Sequence, residues 1–366
     1  MTKILHLTTD TRYGGVYKFI ETWSDIDNTI NENKIYHASI KYENKFSLLN
    51  LINYRQSNLR KHSGYLLIID ILFNLHPFIK YSLKHDIIIL HSTFLFPVGI
   101  LLKLIFKKFY IVTHDFNNPL ILRYICNNIF KKELICVAPW LKEYFINKKH
   151  KKYYKSNEKN QNNKCQIILP TSKSLIEDFQ LNNINFNTIY NNELNLLYIG
   201  SLSPVKGLKN FLKSMETLKD ISTNLHIIGN TDNRYKNDIK NYNHSKINLK
   251  LYGEIINTEE KRNIINRANF AIIPSRSEVF PFVYSEYLST GIIPICSNII
   301  PFLRLSNSRK HIYYLDNINS LRSVLKWALS LSKENYNHYL NVLKKDFNLF
   351  CSDFNNLDNI SKIIIK

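Results

Sequence analysis

Two glutamates, Glu278 and Glu286, stand in the segment Pro274-Ser275-Arg276-Ser277-Glu278-Val279-Phe280-Pro281-Phe282-Val283-Tyr284-Ser285-Glu286-Tyr287-Leu288-Ser289-Thr290-Gly291-Ile292-Ile293-Pro294. The apolar run Phe270–Ile273 reads as a strand that ends in the loop carrying Glu278. A helix follows from about Phe282 to Thr290, with Gly291 as its stop. Glu278 then falls just before the helix and Glu286 about one turn inside it. Both carboxylates can face one ligand at the end of a sheet, Glu278 on a sugar and Glu286 on a diol such as a ribose. An acid in mid-helix is usually just solvated, but two acids in this frame, between apolar neighbours, argue for a shared ligand.

Three further segments have residue types suited to a phosphorylated ligand. In Tyr198-Ile199-Gly200-Ser201-Leu202-Ser203-Pro204-Val205-Lys206-Gly207 a strand ends, a turn follows, and a lysine stands at the start of the next helix. A helix N-terminus plus one cation suits a pyrophosphate; the same residue also fits an ordinary surface lysine. In Asp10-Thr11-Arg12-Tyr13-Gly14-Gly15-Val16 two glycines at a strand-to-helix turn let a ligand approach the backbone, or make a plain tight turn. In Val112-Thr113-His114-Asp115 a histidine ends a strand, where ligands of open α/β sheets gather. It can donate a hydrogen bond to a sugar or phosphate, or serve packing alone.

These residues need elements to hold them. Short apolar runs at Ile4–Leu7, Ile87–Leu90, Phe109–Val112, Ile135–Val137 and Ile167–Leu169 read as strands in the first half. In the second half Leu196–Ile199, Leu225–Ile228, Leu249–Leu251, Phe270–Ile273 and Ile293–Ile295 do the same. They lack polar alternation, as parallel strands covered on both faces do. Between them lie helical patterns such as Leu208, Phe211, Leu212, Met215 and Leu218, with a period near 3.6. Alternating strand and helix implies an α/β architecture with parallel sheets. The pattern restarts at Leu196 after the polar stretch Asn182–Asn195, so two sheets are expected, in domains 1–190 and 191–345. Residues 147–164 hold seven lysines, five asparagines and one acid, Glu158. They read as a low-complexity loop.

The net charge of +20 attracts anions, whether nucleic acid, anionic lipid or phosphorylated substrates. A general enrichment in lysine accounts for it equally well. A charge-driven binder of nucleic acid or membrane has no use for two acids at the phosphate end of a sheet, so no nucleic-acid partner is expected. The five cysteines show no metal-ligand spacing, which suits reduced thiols in the cytoplasm. The one Asp-x-Asp, Asp25-Ile26-Asp27, follows Trp23 in a polar helix rather than an apolar strand, so neither metal nor cofactor is expected. No signal peptide fits at Met1–Leu7. The longest uncharged run, Ile87–Leu102, is shorter than the ~20 residues a membrane span requires.

Together the four segments resemble the retaining glycosyltransferases of family 4 (glycosyl transferases group 1). The resemblance covers nearly the whole chain, and the spacing of Glu278 and Glu286 is the family's signature. It implies the GT-B fold, two Rossmann-like domains facing across a cleft. It also implies transfer of a sugar from a nucleotide-diphosphate donor, with retention, to a glycan, glycolipid or polysaccharide precursor. In the family's pattern Glu278 contacts the donor sugar, Glu286 the ribose and Lys206 the pyrophosphate. Gly14-Gly15 approaches the phosphates, and His114 sits by sugar and acceptor. Residues 346–366 match the helix that crosses back to the first domain. Where the family often has arginine this chain has Ser201, so Lys206 acts more alone or Arg276 substitutes. Val279-Phe280-Pro281 replaces Gly-Phe-Gly beside the sugar, so Phe280 lines an altered pocket. Other enzymes of the fold, such as nucleotide-sugar epimerases, are the alternative. A membrane contact is also expected. Pro139–Phe145 reads as a short helix whose Trp140, Tyr144 and Phe145 share a side, followed by Lys148, Lys149, Lys151, Lys152 and Lys155. Aromatics beside lysines suit an anionic headgroup layer at the inner face of a membrane.

Overall fold

The computed structural model describes residues 2–8, 16, 19–20, 22–24, 32–37, 75–114, 120–146, 166–170, 193–229, 239, 242, 246–255 and 257–356. The chain forms two compact units, Met1–Pro170 with Phe354–Lys366, and Thr171–Asp353.

The first unit contains β1 (Lys3–Thr8), β2 (Glu32–His37), α1 (Leu75–Leu83), β3 (Ile87–Leu90) and α2 (Phe96–Leu104). Then come β4 (Lys108–Thr113), α3 (Leu120–Asn128), β5 (Leu134–Cys136), α4 (Pro139–Ile146) and β6 (Gln166–Leu169). A last strand, β13 (Asn355–Asn356), pairs in parallel with β6. The parallel sheet has the order β13-β6-β5-β4-β3-β1-β2. Its central strands are apolar throughout because helices cover both faces: Ile87, Ile88, Ile89 and Leu90 are all buried.

The second unit begins with β7 (Glu193–Ile199), α5 (Leu208–Met215), β8 (Ser222–Ile228), β9 (Ile247–Gly253), α6 (Thr258–Ile265) and β10 (Phe270–Ile273). It continues with α7 (Phe282–Ser289), β11 (Ile293–Ser297), α8 (Ile300–Leu305), β12 (Ile312–Tyr313), α9 (Ile318–Leu329) and α10 (Lys333–Ser352). Its parallel sheet has the order β12-β11-β10-β7-β8-β9. In α5 the apolar stripe Leu208, Phe211, Leu212 and Met215 is buried and Lys209, Asn210 and Lys213 face outward. Each such side chain contributes about 1.5–3 kcal/mol by leaving water. Tyr336 of α10 reaches the sheet: its hydroxyl bonds the Asn269 and Gly291 carbonyls and accepts from Ile293 N, which fixes how β10 and β11 begin.

All ten apolar runs lie in strands, within a residue at their ends. Three strands had no such signal. β2, Glu-Asn-Lys-Ile-Tyr-His, is a polar edge strand; β12 and β13 are two residues each. The units divide after Pro170, whereas the polar stretch places the change near 190–191; residues 171–192 lie outside the described set. The returning segment also differs from the expected 346–366 helix. α10 runs to Ser352 within the second unit, and the return is made by β13.

The aromatic face expected at α4 faces inward. Trp140 is 1% exposed, and Phe145 and Tyr144 are also buried. The guanidinium of Arg123 stacks on the Tyr144 ring, 4.0 Å from its centre, and donates to the Tyr144 carbonyl. Large rings beside the apolar β5 gain more from the core than from water. Lys148–Lys155 lie outside the described residues. No helix among the described residues is long and apolar enough to cross a membrane.

Candidate active site

In the second sheet the strand order turns at β7. The chain runs outward through β8 and β9 on one side and returns to β10, β11 and β12 on the other. The crevice outside the carboxyl ends of β7 and β10 is therefore a topological switch point. Both loops that flank it contain residues singled out above.

The loop after β7 runs through a short 3-10 turn, Pro204–Lys206, into α5. Gly207 makes the joint. Its φ is 72°, and a Cβ there would lie 1.9 Å from the carbonyl oxygen of Pro274 in the loop after β10. Only glycine permits both the left-handed backbone and the contact. The Val205 carbonyl accepts from Arg276 N at 2.8 Å, a second backbone tie between the loops. Ile199 N donates to the Tyr287 hydroxyl at 2.6 Å, joining the end of β7 to α7. Burial pushes the Tyr287 phenol well above its ordinary pKa, so it stays neutral.

Held this way, Lys206 Nζ lies 2.6 Å from Glu278 Oε1. The Glu278 side chain is 9% exposed and that of Lys206 30%. A carboxylate so buried needs a partner, and it has two: Ser275 Oγ also donates to Oε1 at 2.6 Å. Ser275 is fixed in turn by Ser297 Oγ, which donates to its carbonyl at 2.5 Å. The helices on either side, α5 and α7, have no side-chain cap, whereas Asn257 caps α6 and Asn317 caps α9. At α7 the Phe282 and Tyr284 amides bond the Phe280 and Pro281 carbonyls; a helix start without a side-chain cap suits an anion.

Glu286 lies within α7 as expected, and its carboxylate forms an ion pair with Lys261 of α6. The sequence offered no cue to Lys261, a helix residue brought near only by tertiary folding. Ser201 is exposed, its carbonyl accepting from Tyr198 Oη at 2.9 Å. Arg276 reaches Asp316 at 2.9 Å on the surface. Phe280 is buried edge-on against Phe282.

The first sheet has its own switch point between β1 and β3. There the structure adds residues that sequence reasoning missed. His91, just after β3, lies between His6 of β1 and His114 just after β4. His6 Nδ1 is 2.9 Å from His91 Nε2, and His91 Nδ1 is 3.2 Å from His114 Nε2. His6 and His91 are buried and His114 is half-buried. The rings of Phe19 and Trp23 pack edge-on against the row. Burial, with the neighbouring His6 and His114, holds His91 well below its ordinary pKa. A neutral His91 has one N–H and one lone pair, so its two hydrogen bonds run in one sense along the row. The available signal was a histidine within or just after each of three apolar runs: Ile-Leu-His-Leu, Ile-Leu-His-Ser and Val-Thr-His-Asp. Gly14, Gly15 and Asp25-Ile26-Asp27 lie outside the described residues. Among the described residues no group of three or more His, Cys, Asp or Glu is arranged to hold a metal ion.

Two parallel Rossmann-like sheets of this kind define the GT-B fold, and solved structures with this architecture match the chain along its length. Sucrose-phosphate synthase from Thermosynechococcus elongatus aligns with TM-score 0.69 at 14% identity, over 99% of this chain and 97% of that one. A glycosyltransferase from Rickettsia africae aligns with TM-score 0.65 at 16% identity, over 100% and 99%. Anabaena HepE, in complex with UDP and glucose, aligns with TM-score 0.61 at 12% identity, over 100% and 98%. At these identities the likeness shows the fold. Residues 179–340, within the second unit, match the family model of the glycosyl transferases group 1. No curated protein matches the chain by sequence.

Proposed function

We propose that the chain moves a glycosyl group from a nucleoside-diphosphate sugar to a glycan, lipid-linked or polysaccharide-precursor acceptor, with retention at the anomeric carbon. The observation that carries this reading is the Lys206–Glu278 pair at the switch point of a unit that matches the glycosyl transferases group 1, flanked by the uncapped starts of α5 and α7. Without donor, Lys206 neutralises Glu278. When a diphosphate reaches the amides of α5, Lys206 turns to the phosphate and Glu278 is released toward the sugar. Glu286 exchanges Lys261 for the ribose hydroxyls in the same way. Phe280 and the Ser201 loop border this pocket. As the bond from C1 to the diphosphate oxygen breaks, negative charge grows on the leaving group, where Lys206 and the helix amides meet it. Glu278 faces the positive charge that develops on the sugar. His114, with Gly14-Gly15, serves the sugar and acceptor side.

This charge neutralisation needs no metal ion, and full activity in excess chelator is expected. The four described cysteines are buried thiols, which suits the reducing cytoplasm. A thermal-shift screen against uridine, guanosine and adenosine diphosphate sugars tests the proposal, followed by donor hydrolysis and NMR of the product anomer. One nucleotide class should raise the melting temperature, and sugar should leak slowly to water. No shift with any of the three, or a product sugar epimerised rather than released, overturns it.

A further inference from the structure

The amino edge of the first sheet has a surface that glycosyl transfer does not use. Three turns meet there, each leading into one of the adjacent parallel strands β3, β4 and β5. Lysines clip them together. Lys107 Nζ, from the turn before β4, donates to the His85 carbonyl before β3 at 2.8 Å. Lys103 Nζ donates to the Ile129 carbonyl before β5 at 2.7 Å.

The central turn is built unusually. Helix α2 ends with Phe106 N bonded to the Lys103 carbonyl at 3.2 Å and Lys107 N to the Leu102 carbonyl at 2.9 Å. This is the Schellman closure, whose left-handed position is normally glycine or asparagine. Here it is Phe106, with φ 55°, and its side chain is 96% exposed. A bulky residue in this conformation is strained, so the backbone holds an apolar ring out in water against its own preference. Leu104, Ile105, Leu83 and Ile129 are exposed around it. Lys84, Lys108, Lys131 and Lys132, all exposed, stand within three residues of these apolar side chains along the three turns. The two acids of the turns are engaged within the unit: Asp86 accepts from Lys3 N at 2.8 Å, and Glu133 pairs with Lys103 at 3.2 Å.

We propose that this edge docks on an anionic lipid bilayer, with Phe106, Leu104 and Ile105 entering the headgroup layer and the four lysines meeting lipid phosphates. An apolar tip beside lysines has the two-part chemistry of such a surface. A second copy of the chain would bring the same positive charge against it, and nucleic acid has no use for the apolar tip. The membrane surface thus lies on the turns before β3, β4 and β5, not on the buried aromatics of α4.

Co-sedimentation of the full chain with vesicles tests this, using phosphatidylcholine with and without phosphatidylglycerol. The protein should pellet with the anionic vesicles at low salt and be released as salt rises. Phe106→Gly should keep or raise the melting temperature, because glycine suits φ 55°, yet weaken vesicle binding about 10-fold, the effect of losing one buried aromatic. Lys131→Glu with Lys132→Glu should weaken it further without unfolding the chain. Equal recovery in the supernatant with both vesicle types overturns the proposal. So does binding that survives Phe106→Gly and the double charge reversal but is lost on charge reversal of Lys148–Lys155. A wild-type dimer in sedimentation equilibrium that Phe106→Gly dissociates would assign the surface to a second copy instead. None of these readouts involves sugar transfer, so they stand or fall apart from it.

Discussion

The two sheets present the same feature, a switch point at their carboxyl edges, but hold it with opposite electrostatics. In the second unit the crevice between β7 and β10 is held by charge: Lys206 on Glu278, and Lys261 on Glu286 nearby. In the first unit the crevice between β1 and β3 is held by a row of rings, His6, His91 and His114, packed against Phe19 and Trp23, with burial keeping the central His91 neutral. In an ion pair, the cation can leave its carboxylate to meet an anionic ligand. The buried, neutral His91 at the centre of the row has no charge to exchange; it can only keep an orientation. The difference teaches that one edge is built to trade partners and the other to hold a geometry.

The largest expected effect tests the frame of the charged edge. Gly207→Ala places a Cβ 1.9 Å from the Pro274 carbonyl at φ 72°. It should lower stability by about 2 kcal/mol or more, since left-handed strain alone costs roughly 1–2 kcal/mol. Chemical denaturation measures it, and an unchanged midpoint would show that the loops are not locked together. Next, Lys206→Ala should weaken nucleoside-diphosphate binding about 10- to 150-fold, the loss of one charge-assisted hydrogen bond. Calorimetry giving wild-type affinity would break the assignment of partner exchange. On the neutral edge, His91→Phe should lower turnover and leave nucleotide affinity near wild type. Equal losses in both would mean that the two edges do not divide the work.

Acid sharpens the same contrast. Burial, aided by the charges of Lys250 and Arg267, lowers the His226 pKa to about 4. Burial and then Arg309 lower His311 to about 3, against a smaller opposing effect of Asp346. With His91 these groups are neutral when folded and protonate near pH 6.5 when unfolded. Between these values the unfolded chain binds more protons, so stability is full above about pH 6.5 and falls as pH drops. The slope should approach about 1.4 kcal/mol per pH unit for each histidine. Denaturation midpoints at pH 7 and pH 5 measure it; a flat profile would mean that the histidines are not neutral in the fold. The smallest effect is expected at Lys261→Ala. Its pair with Glu286 is a quarter exposed on both sides, so it should cost under about 1 kcal/mol.

The legible parts of the sequence were those in which one residue type serves one local purpose. Apolar runs such as Ile87–Leu90 can only be buried strands, and the frame of Glu278, Lys206 and Gly207 is local to two loops. Tertiary choices were not legible. Trp140, Tyr144 and Phe145 fit a membrane face or a core equally well by spacing, and the core holds them. Lys261 and the His6–His91–His114 row involve partners 25, 85 and 23 residues apart, which no periodicity reports. Phe106 was hidden because nothing in the sequence marks a helix end that uses phenylalanine where glycine is usual.

The return of β13 to β6 has a consequence for how the protein is made. The ribosome releases the first unit's other strands long before Asn355 and Asn356 are synthesised, so throughout translation of the second unit β6 is an open edge. A nascent chain in that interval is vulnerable to pairing with strands of its neighbours on the same messenger. Closure of the first sheet waits until the whole second unit has been synthesised, and biogenesis of the two halves is thereby coupled into one event.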